Sequence, residues 1–433
     1  MHSRTILLLC GLLAGYAVVS RGQGASSLAG YVTRSVSGSD FDVNGYHILC
    51  NKKTRNAFES VNGTKVSGVG CPSAPPFIGE ALIVYGPLNV GSSYFKASRI
   101  QSLRSGHPTI AGSAVIDAAP ARDATDSSSL IVRADGYRIN INGNTKTEWN
   151  PPLQSLADVK AGNWIRYKGK MDATGVLVAG FVEIGANVID GREEKLRADK
   201  EYDPSAVPAD ARQNYLKAVL SGGYDPKKFP PFTDAEMQAR VETIGSNLVP
   251  AYQRALQDSD PAKIHFRFQV IDNNHFCGLM QCDALTLPSG IILVPHQVVE
   301  RMQNDSQLAT VLADSIARAL EKQQYRTDRK TKVAYASMLA APFVPYAGLG
   351  MGIGGEVVTS IERKAMEQSG RVSLALLRDA GYDINQAPTA WWLLATEKPK
   401  PLSEIEMPDR AGYLYRMLEE IWNNPSASAA RVP

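Results

Sequence analysis

The hydrophobic pattern of this chain changes character near residue 190, and that change constrains the fold more than any other feature. Before it, short alternating or β-branched runs are broken by Gly, Asn, Asp and Ser, a pattern typical of strands joined by tight turns. After residue 232, apolar residues recur at helical spacing, as Met237, Val241 and Ile244 do. Because 433 residues exceed one ordinary core, the sequence predicts a multidomain protein with an all-β first part and a mainly helical α+β second part.

The β-rich part contains two related segments. Residues 77–100 (FIGEALIVYGPLNVGSSYFKASRI) and residues 160–184 (KAGNWIRYKGKMDATGVLVAGFVEI) each have a Gly turn, an alternating strand, a Gly-centred hairpin and a second alternating strand. We therefore predict two copies of one small β-barrel or meander, over residues 26–104 and 107–190. The pattern resembles the OB-like barrels often found as accessory modules in exported bacterial proteins. A closed barrel is expected because closure removes exposed strand edges.

The N-terminus has the pattern of an export signal. Arg4 is followed by an uncharged apolar run over residues 5–20, which is short for a membrane-spanning helix. Gly22-Gln23-Gly24 offers a small-x-small cleavage site. The sequence predicts a signal peptide over residues 1–24 and a secreted or periplasmic protein, with an uncleaved membrane anchor as the alternative.

Removal of the signal leaves an even number of cysteines, at Cys50, Cys71, Cys277 and Cys282. In an oxidising compartment this number favours two disulfides. Pairing Cys50 with Cys71 and Cys277 with Cys282 closes the shortest loops, but three connectivities are open. Buried reduced thiols are the alternative.

The charge balance argues against a nucleic-acid partner. The chain has 46 basic and 43 acidic residues, and no cluster of Lys or Arg accompanies the aromatic residues of the β repeats. In strands, such aromatic residues more often pack in the core or across strands. A separate hypothesis is that the β repeats form a module that binds an envelope polymer.

Residues 191–232 differ from both neighbours in composition. They begin with the mixed-charge run REEKLRADK and continue with several prolines. This composition predicts a linker that wraps onto the domain formed by residues 233–425.

Several segments after residue 230 resemble one enzyme family in their order and spacing. They are FRFQVIDN, LPSGIILVPHQVVERM, SQLATVLADSIARAL and ERKAMEQSGRVSLALLRDAGYDI, the last one ahead of WWLL. This order is similar to the metallopeptidase domain of the HtpX-like zinc endopeptidases, which include BepA-type periplasmic proteases and CAAX prenyl proteases. The resemblance covers roughly residues 230–425 and implies a gluzincin-like α+β domain.

The resemblance also implies where a zinc site would lie. In the family, a His-Glu-x-x-His helix supplies two zinc ligands and the general base, and a Glu from a later helix completes the site. These positions hold Asp314, Ser315 and Arg318 here, and Met366 stands at the later Glu position. A shift of one residue would place Glu367 there instead.

The residues at these positions cannot perform zinc chemistry. The guanidinium of Arg318 cannot donate a lone pair to a metal, and the hydroxyl of Ser315 is no general base without activation. Asp314 and Arg318 stand four residues apart, so they can form an ion pair. We expect a pseudoenzyme with no catalytic residues, no metal site and no zinc cofactor.

The remaining histidines offer no replacement for the lost ligands. His265, His275 and His296 lie near the resembling segments, but none shows i, i+4 pairing with another His. The alternative to a pseudoenzyme is an active zinc metalloendopeptidase with atypical ligands.

A peptide-binding groove can persist without catalysis. In the family, the strand that corresponds to Gly290, Ile291, Ile292, Leu293 and Val294 is an edge strand that pairs with extended peptide. We therefore predict an exported scaffold or polypeptide-binding factor of the cell envelope, with unfolded or envelope polypeptides as partners. A buried strand that serves packing alone is the alternative.

Residues 333–355 form an uncharged apolar stretch interrupted by Pro342 and Pro345. Its length would suffice for a membrane span, although the prolines and glycines disfavour one straight helix. We expect this stretch to be a buried or capping element. The alternatives are, in order of preference, a membrane-touching hairpin and a spanning helix.

Overall fold

A computed structural model of the chain describes residues 26–43, 46–59, 65–76, 79–87, 94–102, 109–122, 129–172, 174–199, 202–208, 211, 228–272, 283–326, 348–396, 398–405 and 407–422. The signal predicted over residues 1–24 lies outside these residues. The described chain divides into two compact units. One contains residues 26–102 and 401–416, and the other contains residues 109–400 and 417–422.

The first unit is built on an eight-stranded sheet. Its strands are β1 (Ser26–Ser37), β2 (Asp40–Val43), β3 (Tyr46–Leu49), β4 (Arg55–Glu59), β5 (Lys65–Val69), β6 (Ala81–Gly86), β7 (Tyr94–Lys96) and β8 (Arg99–Ser102). They are hydrogen-bonded in the order β5-β4-β8-β6-β1-β2-β3-β7. Alternate positions of these strands point inward, so that Phe41, Ile48 and Phe95 meet in one buried core.

One disulfide crosses this unit. Cys50 and Cys71 are joined, with their Cα atoms 5.4 Å apart, which confirms the predicted local pairing of these two cysteines. Cys277 and Cys282 lie outside the described residues.

The second unit begins with a seven-stranded sheet. Its strands are β9 (Thr109–Val115), β10 (Ala121–Arg122), β11 (Leu130–Ala134), β12 (Tyr137–Ile141), β13 (Lys146–Trp149), β14 (Trp164–Met171) and β15 (Val176–Gly185). The hydrogen-bonded order is β10-β11-β12-β15-β14-β9, and β13 also pairs with β15.

The two sheets share one pairing plan. The first strand of each pairs antiparallel with the strand before the last hairpin turn, β1 with β6 and β9 with β14. In the first sheet, β3 pairs parallel with β7, and β4 pairs parallel with β8. In the second sheet, β12 and β13 both pair parallel with β15. The same order of antiparallel and parallel neighbours therefore occurs twice in the chain, as expected for two related segments.

The prediction of closed barrels is wrong. Among the described strands, the ladders form open paths that end at β5 and β7 in one sheet and at β10 and β9 in the other. A single bridge between Ile116 and Ala134 joins the ends of β9 and β11 without a ladder. Closure depends on strand tilt and stagger, which a pattern of alternating residues does not encode.

The rest of the second unit is helical around a small sheet. The helices are α1 (Gly191–Asp199), α2 (Ala235–Leu248), α3 (Ala251–Ala255), α4 (His296–Arg301), α5 (Asp305–Leu320), α6 (Gly348–Asp379) and α7 (Gln386–Leu393), and a further helix, α8 (Asp409–Glu420), has residues in both units. The strands are β16 (Arg267–Ile271), β17 (Leu285–Thr286) and β18 (Ile291–Pro295), in the order β16-β18-β17. The fold is therefore an all-β part followed by a mainly helical part with a few strands, as predicted.

The predicted linker contains a helix. The mixed-charge run forms α1, in which Glu193 pairs with Arg197 one turn later at 2.7 Å. Lys322 also donates to the Glu193 carboxylate, at 2.8 Å. The Lys322–Glu193 ion pair attaches α1 to the helical part, so residues 191–199 are not an extended spacer.

The apolar stretch predicted over residues 333–355 lies only partly within the described chain. Residues 333–347 are outside it, and α6 begins at Gly348. Among the helices of the described residues, none combines the length and the apolar character that crossing a membrane requires.

A tight turn fixes the second β sheet to α6 within the second unit. Asp135 and Gly136 form the two-residue turn between β11 and β12, both with positive φ (55° and 72°), as a type I′ hairpin requires. A Cβ atom on Gly136 would lie 2.6 Å from the backbone of Arg371. Glycine is therefore needed here both for the turn and for the close approach of α6.

Candidate functional site

The helix that carries the predicted site positions is α5. The side chain of Asn304 caps its first turn by accepting from the backbone N–H of Gln307, at 3.0 Å. Nearly every residue of the helix is buried, including Asp314 and Ser315. The alanines on α5 allow neighbouring elements to approach closely, and the polar side chains of Thr310, Asp314 and Ser315 face protein and not water.

The predicted ion pair between Asp314 and Arg318 is present. The Nε atom of Arg318 lies 2.8 Å from Oδ2 of Asp314, whose side chain is 0% exposed. A second carboxylate, from Asp283, lies 2.8 Å from an Nη atom of the same guanidinium. One cation is thus held between two anions, and we call these three residues the Asp-Arg-Asp triad.

The triad keeps Arg318 charged. Burial disfavours the guanidinium charge, but the neighbouring carboxylates of Asp283 and Asp314 outweigh that effect and raise the pKa of Arg318 above its ordinary value. The side chain has no lone pair to offer at any accessible pH.

Ser315 is the residue that the sequence resemblance aligned with a general base. Its hydroxyl is buried and, among the described residues, has no hydrogen-bond partner. Its backbone carbonyl accepts from the Thr286 hydroxyl at 3.3 Å. A nucleophilic serine needs an adjacent base, and none contacts Ser315 in the described part of the chain.

Met366, on α6, does not lie beside the part of α5 that carries Asp314. The contacts of α6 around this residue reach the end of α5: Gln368 donates to Glu321 at 3.3 Å, and the Ala365 carbonyl accepts from Gln323 at 2.8 Å. Residue 321 follows residue 314 by seven positions, which is about 10 Å along a helix. The structure therefore joins Asp314 and Arg318 but places Met366 and its neighbour Glu367 nearer to the end of α5.

A zinc ion does not fit this set of residues. The Asp314 carboxylate already faces a guanidinium, which would repel a divalent cation, and Arg318 cannot act as a ligand. In the described residues, no group of three or more His, Cys, Asp or Glu side chains is arranged to hold a metal.

The histidines named from the sequence are separated. His265 is exposed, and His275 lies outside the described residues. His296 stacks on Phe232 with ring centroids 4.3 Å apart, and its Nδ1 atom lies 3.0 Å from the Glu300 carboxylate. His296 therefore has packing and hydrogen-bonding contacts of its own.

The strand predicted to be an edge is not one. β18 pairs with β16 on one side and with β17 on the other, and Ile291, Ile292, Leu293 and Val294 are all buried. Gly290 precedes the strand with a positive φ of 94° and packs against Ile264. The described sheet ends at β17, so the segment Gly290–Val294 is the buried strand of the alternative interpretation.

A second polar cluster was not predicted. Arg133 on β11 contacts Asp117 at 2.6 Å and also reaches Asp379 on α6. Asp135 accepts from the Tyr167 hydroxyl at 2.6 Å and from Arg371. No signal in the sequence indicated the two contacts with α6, because Asp379 lies 246 positions from Arg133 and Arg371 lies 236 positions from Asp135.

The comparisons with known proteins concern the β part of this unit. Residues 122–183 match the family model described as "Domain of unknown function (DUF5666)". The search of curated proteins found no match to the chain. The similarity to that domain thus runs from the last residue of β10 to most of β15 and does not include α5.

Proposed function

We propose that this chain is an exported, non-catalytic protein whose helical part is related to the HtpX-like zinc metallopeptidases. It acts as a scaffold or a polypeptide-binding factor of the bacterial cell envelope. The observation that carries the proposal is the Asp-Arg-Asp triad, in which Arg318 lies 2.8 Å from Asp314 and 2.8 Å from Asp283.

The triad supports the loss of catalysis by its charges. A peptidase of this kind needs electron-pair donors around a divalent cation and a base for the bound water. Here a permanent cation stands among the donors, and the position of the base is a buried serine. In this proposal, an internal ion pair stands where a peptidase of this kind would hold its metal ion.

Export is supported by the cysteines and by the first residues of the sequence. The Cys50–Cys71 disulfide suits an oxidising compartment such as the periplasm or the cell exterior. The uncharged run over residues 5–20 suits a secretory signal.

We further infer that the two β sheets are OB-like modules produced by duplication. The shared plan of parallel and antiparallel neighbours in the two sheets supports the duplication. In this proposal, the modules extend the scaffold and leave polypeptide binding to the helical part.

In this proposal an extended partner pairs with β17. That strand ends the described three-stranded sheet, and a polypeptide laid beside Leu285 and Thr286 would gain main-chain hydrogen bonds without any chemistry. Partners would then be unfolded or envelope polypeptides.

Two measurements on the purified chain test this proposal. Elemental analysis should find no stoichiometric zinc, and incubation with casein should give no cleavage that a chelator abolishes. Reduced, carboxymethylated lactalbumin serves as an unfolded polypeptide and should bind to the chain. Native lactalbumin should not bind. Stoichiometric zinc with chelator-sensitive cleavage would establish the active-peptidase alternative. Absence of binding to the unfolded probe would restrict the role to a scaffold.

A further inference from the structure

One face of the second β sheet collects basic side chains around an aromatic ring, which corrects the expectation from the sequence that no cluster of Lys or Arg accompanies the aromatic residues of the β repeats. Arg166, Lys168 and Lys170 alternate along β14 and are all exposed. Lys146 on β13 and Phe181 on β15 lie on the same face, since Phe181 is paired in register with Lys168 on one side and with Lys146 on the other. We call these five residues the basic face.

The basic face has more cations than its own carboxylates balance. Lys146 lies 2.8 Å from Glu148, and Arg166 lies 2.5 Å from Glu183. Within the described part of the chain, Lys168 and Lys170 have no acidic partner. The chain as a whole is nearly neutral, with 46 basic and 43 acidic residues, so this face is a local excess.

The aromatic ring at the centre of the face is bordered by cations. Lys146 Nζ and Arg166 Cζ both lie 5.7 Å from the centroid of the Phe181 ring. Such cation–π contacts hold the two charged groups above the sheet.

The arrangement spreads charge over a flat surface. Alternate residues of a strand are about 7 Å apart, and residues two strands apart are separated by about 10 Å. A small anion needs donors that converge on one point, whereas these cations are spaced along the strand and across the sheet. The spacing suits a polymer that carries a negative charge at regular intervals.

We propose that the basic face binds an anionic polysaccharide, with Lys168 and Lys170 contacting its acidic groups and Phe181 contacting its sugar rings. A nucleic acid is less suited, because base recognition by stacking uses several open aromatic rings and this face has one, bordered by two cations. The choice of a polysaccharide rests on the proposed export, since the disulfide suits a compartment outside the cytosol.

Binding of the full chain to polygalacturonate, which carries one carboxylate on each sugar, tests the proposal. We expect saturable binding at low salt that weakens as ionic strength rises, and no binding to neutral dextran. The double variant K168A/K170A should bind at least tenfold more weakly. The variant K52A/K53A removes two exposed lysines from the other unit and should bind as the wild type does. Melting temperatures of both variants equal to that of the wild type would show that the loss of binding is not caused by unfolding.

Three results would overturn the proposal. They are no saturable binding to polygalacturonate, equal loss in K168A/K170A and K52A/K53A, and displacement of polygalacturonate by a lower concentration of single-stranded DNA of equal charge. The last result would assign the face to nucleic acid. Zinc-dependent cleavage by a chain that still binds polygalacturonate would refute the non-catalytic role alone and leave this inference standing.

Discussion

Arg371 on α6 holds Asp135, the first residue of the turn between β11 and β12, through both its backbone and its side chain. The Nε atom donates to the Asp135 carbonyl at 3.0 Å, and an Nη atom lies 2.5 Å from the carboxylate. Both side chains are almost fully buried. This contact ties the β sheet that matches the domain of unknown function to the longest described helix, and it makes the two parts of the second unit interdependent.

Replacing Arg371 should be strongly destabilising. The variant R371M leaves the Asp135 carboxylate buried with the Tyr167 hydroxyl but without its cation, and breaking such a pair costs about 3–5 kcal/mol. Urea unfolding followed by circular dichroism measures the change. R363A, an exposed arginine of the same helix, is the control and should change stability by about 0.5 kcal/mol or less. A similar small effect for R371M would contradict this account.

The glycine of the same turn should tolerate no side chain. G136A places a Cβ atom 2.6 Å from the Arg371 backbone and forces alanine to a φ of 72°. The left-handed conformation alone costs about 1–2 kcal/mol, and the steric conflict adds to it. G143A is the matched control, because Gly143 has open space around it. Equal melting temperatures for the two variants would refute the argument.

The contributions of Asp314 and Arg318 to stability should depend on each other. R318M removes the guanidinium beside the fully buried Asp314, so it should destabilise the fold by about 3 kcal/mol. The double variant D314N/R318M removes the buried charge as well and should be more stable than R318M alone. Chemical denaturation of the wild type, D314N, R318M and the double variant gives the coupling energy. Additive losses would mean that Asp314 and Arg318 do not depend on each other.

Asp117 should make the stability of the second unit depend on pH. Burial raises the pKa of Asp117 to about 6, against the lowering effect of Arg133, so the folded state binds a proton more readily than the unfolded state. The contribution of Asp117 to stability is therefore greatest below about pH 4 and is lost as pH rises through 6. D117N should be more stable than the wild type by about 1–3 kcal/mol at pH 7, with the difference vanishing near pH 4. A difference between the two proteins that does not change with pH would contradict the assignment.

The disulfide of the first unit should contribute to its stability. Cys50 and Cys71 close a loop with a sequence separation of 21, and a loop of that length corresponds to about 3 kcal/mol. C50A/C71A should unfold at lower denaturant concentration than the oxidised wild type. Dithiothreitol should lower the stability of the wild type more than that of the variant, which lacks the Cys50–Cys71 bond. An equal response of both proteins to the reductant would place the effect elsewhere.

The local pattern of the sequence predicted the strands and helices well, but it predicted poorly which of them lie side by side. Alternation and glycine spacing indicated the strands and the repeat of one plan, since both follow from the two-residue period of a strand. The same pattern could not decide whether a ladder closes. The family resemblance assigned GIILV to an edge, although β17 covers that side. Pairing depends on residues far away in the chain, and a run of apolar residues is common to central and edge strands.

The candidate site was predicted in the part that lies on one helix. Asp314 and Arg318 meet because a four-residue spacing is one helical turn. Asp283 joins them from 35 positions away, and no local feature marks it as a partner. The residues of α5 that lie beside Met366 depend on how far α6 is shifted along α5. Helix packing determines this shift, and the spacing of residues in the sequence does not reveal it.

The turn at Asp135 and Gly136 has a consequence for any attempt to move the second repeat into another protein. Transplanted without α6, the repeat would lose both Arg371 and Asp379, so that Asp135 and Arg133 would need new counter-ions or water. The repeat is therefore no portable module, even though its strands follow the plan of its N-terminal counterpart. A host for it would have to supply a helix with an arginine and an aspartate eight residues apart.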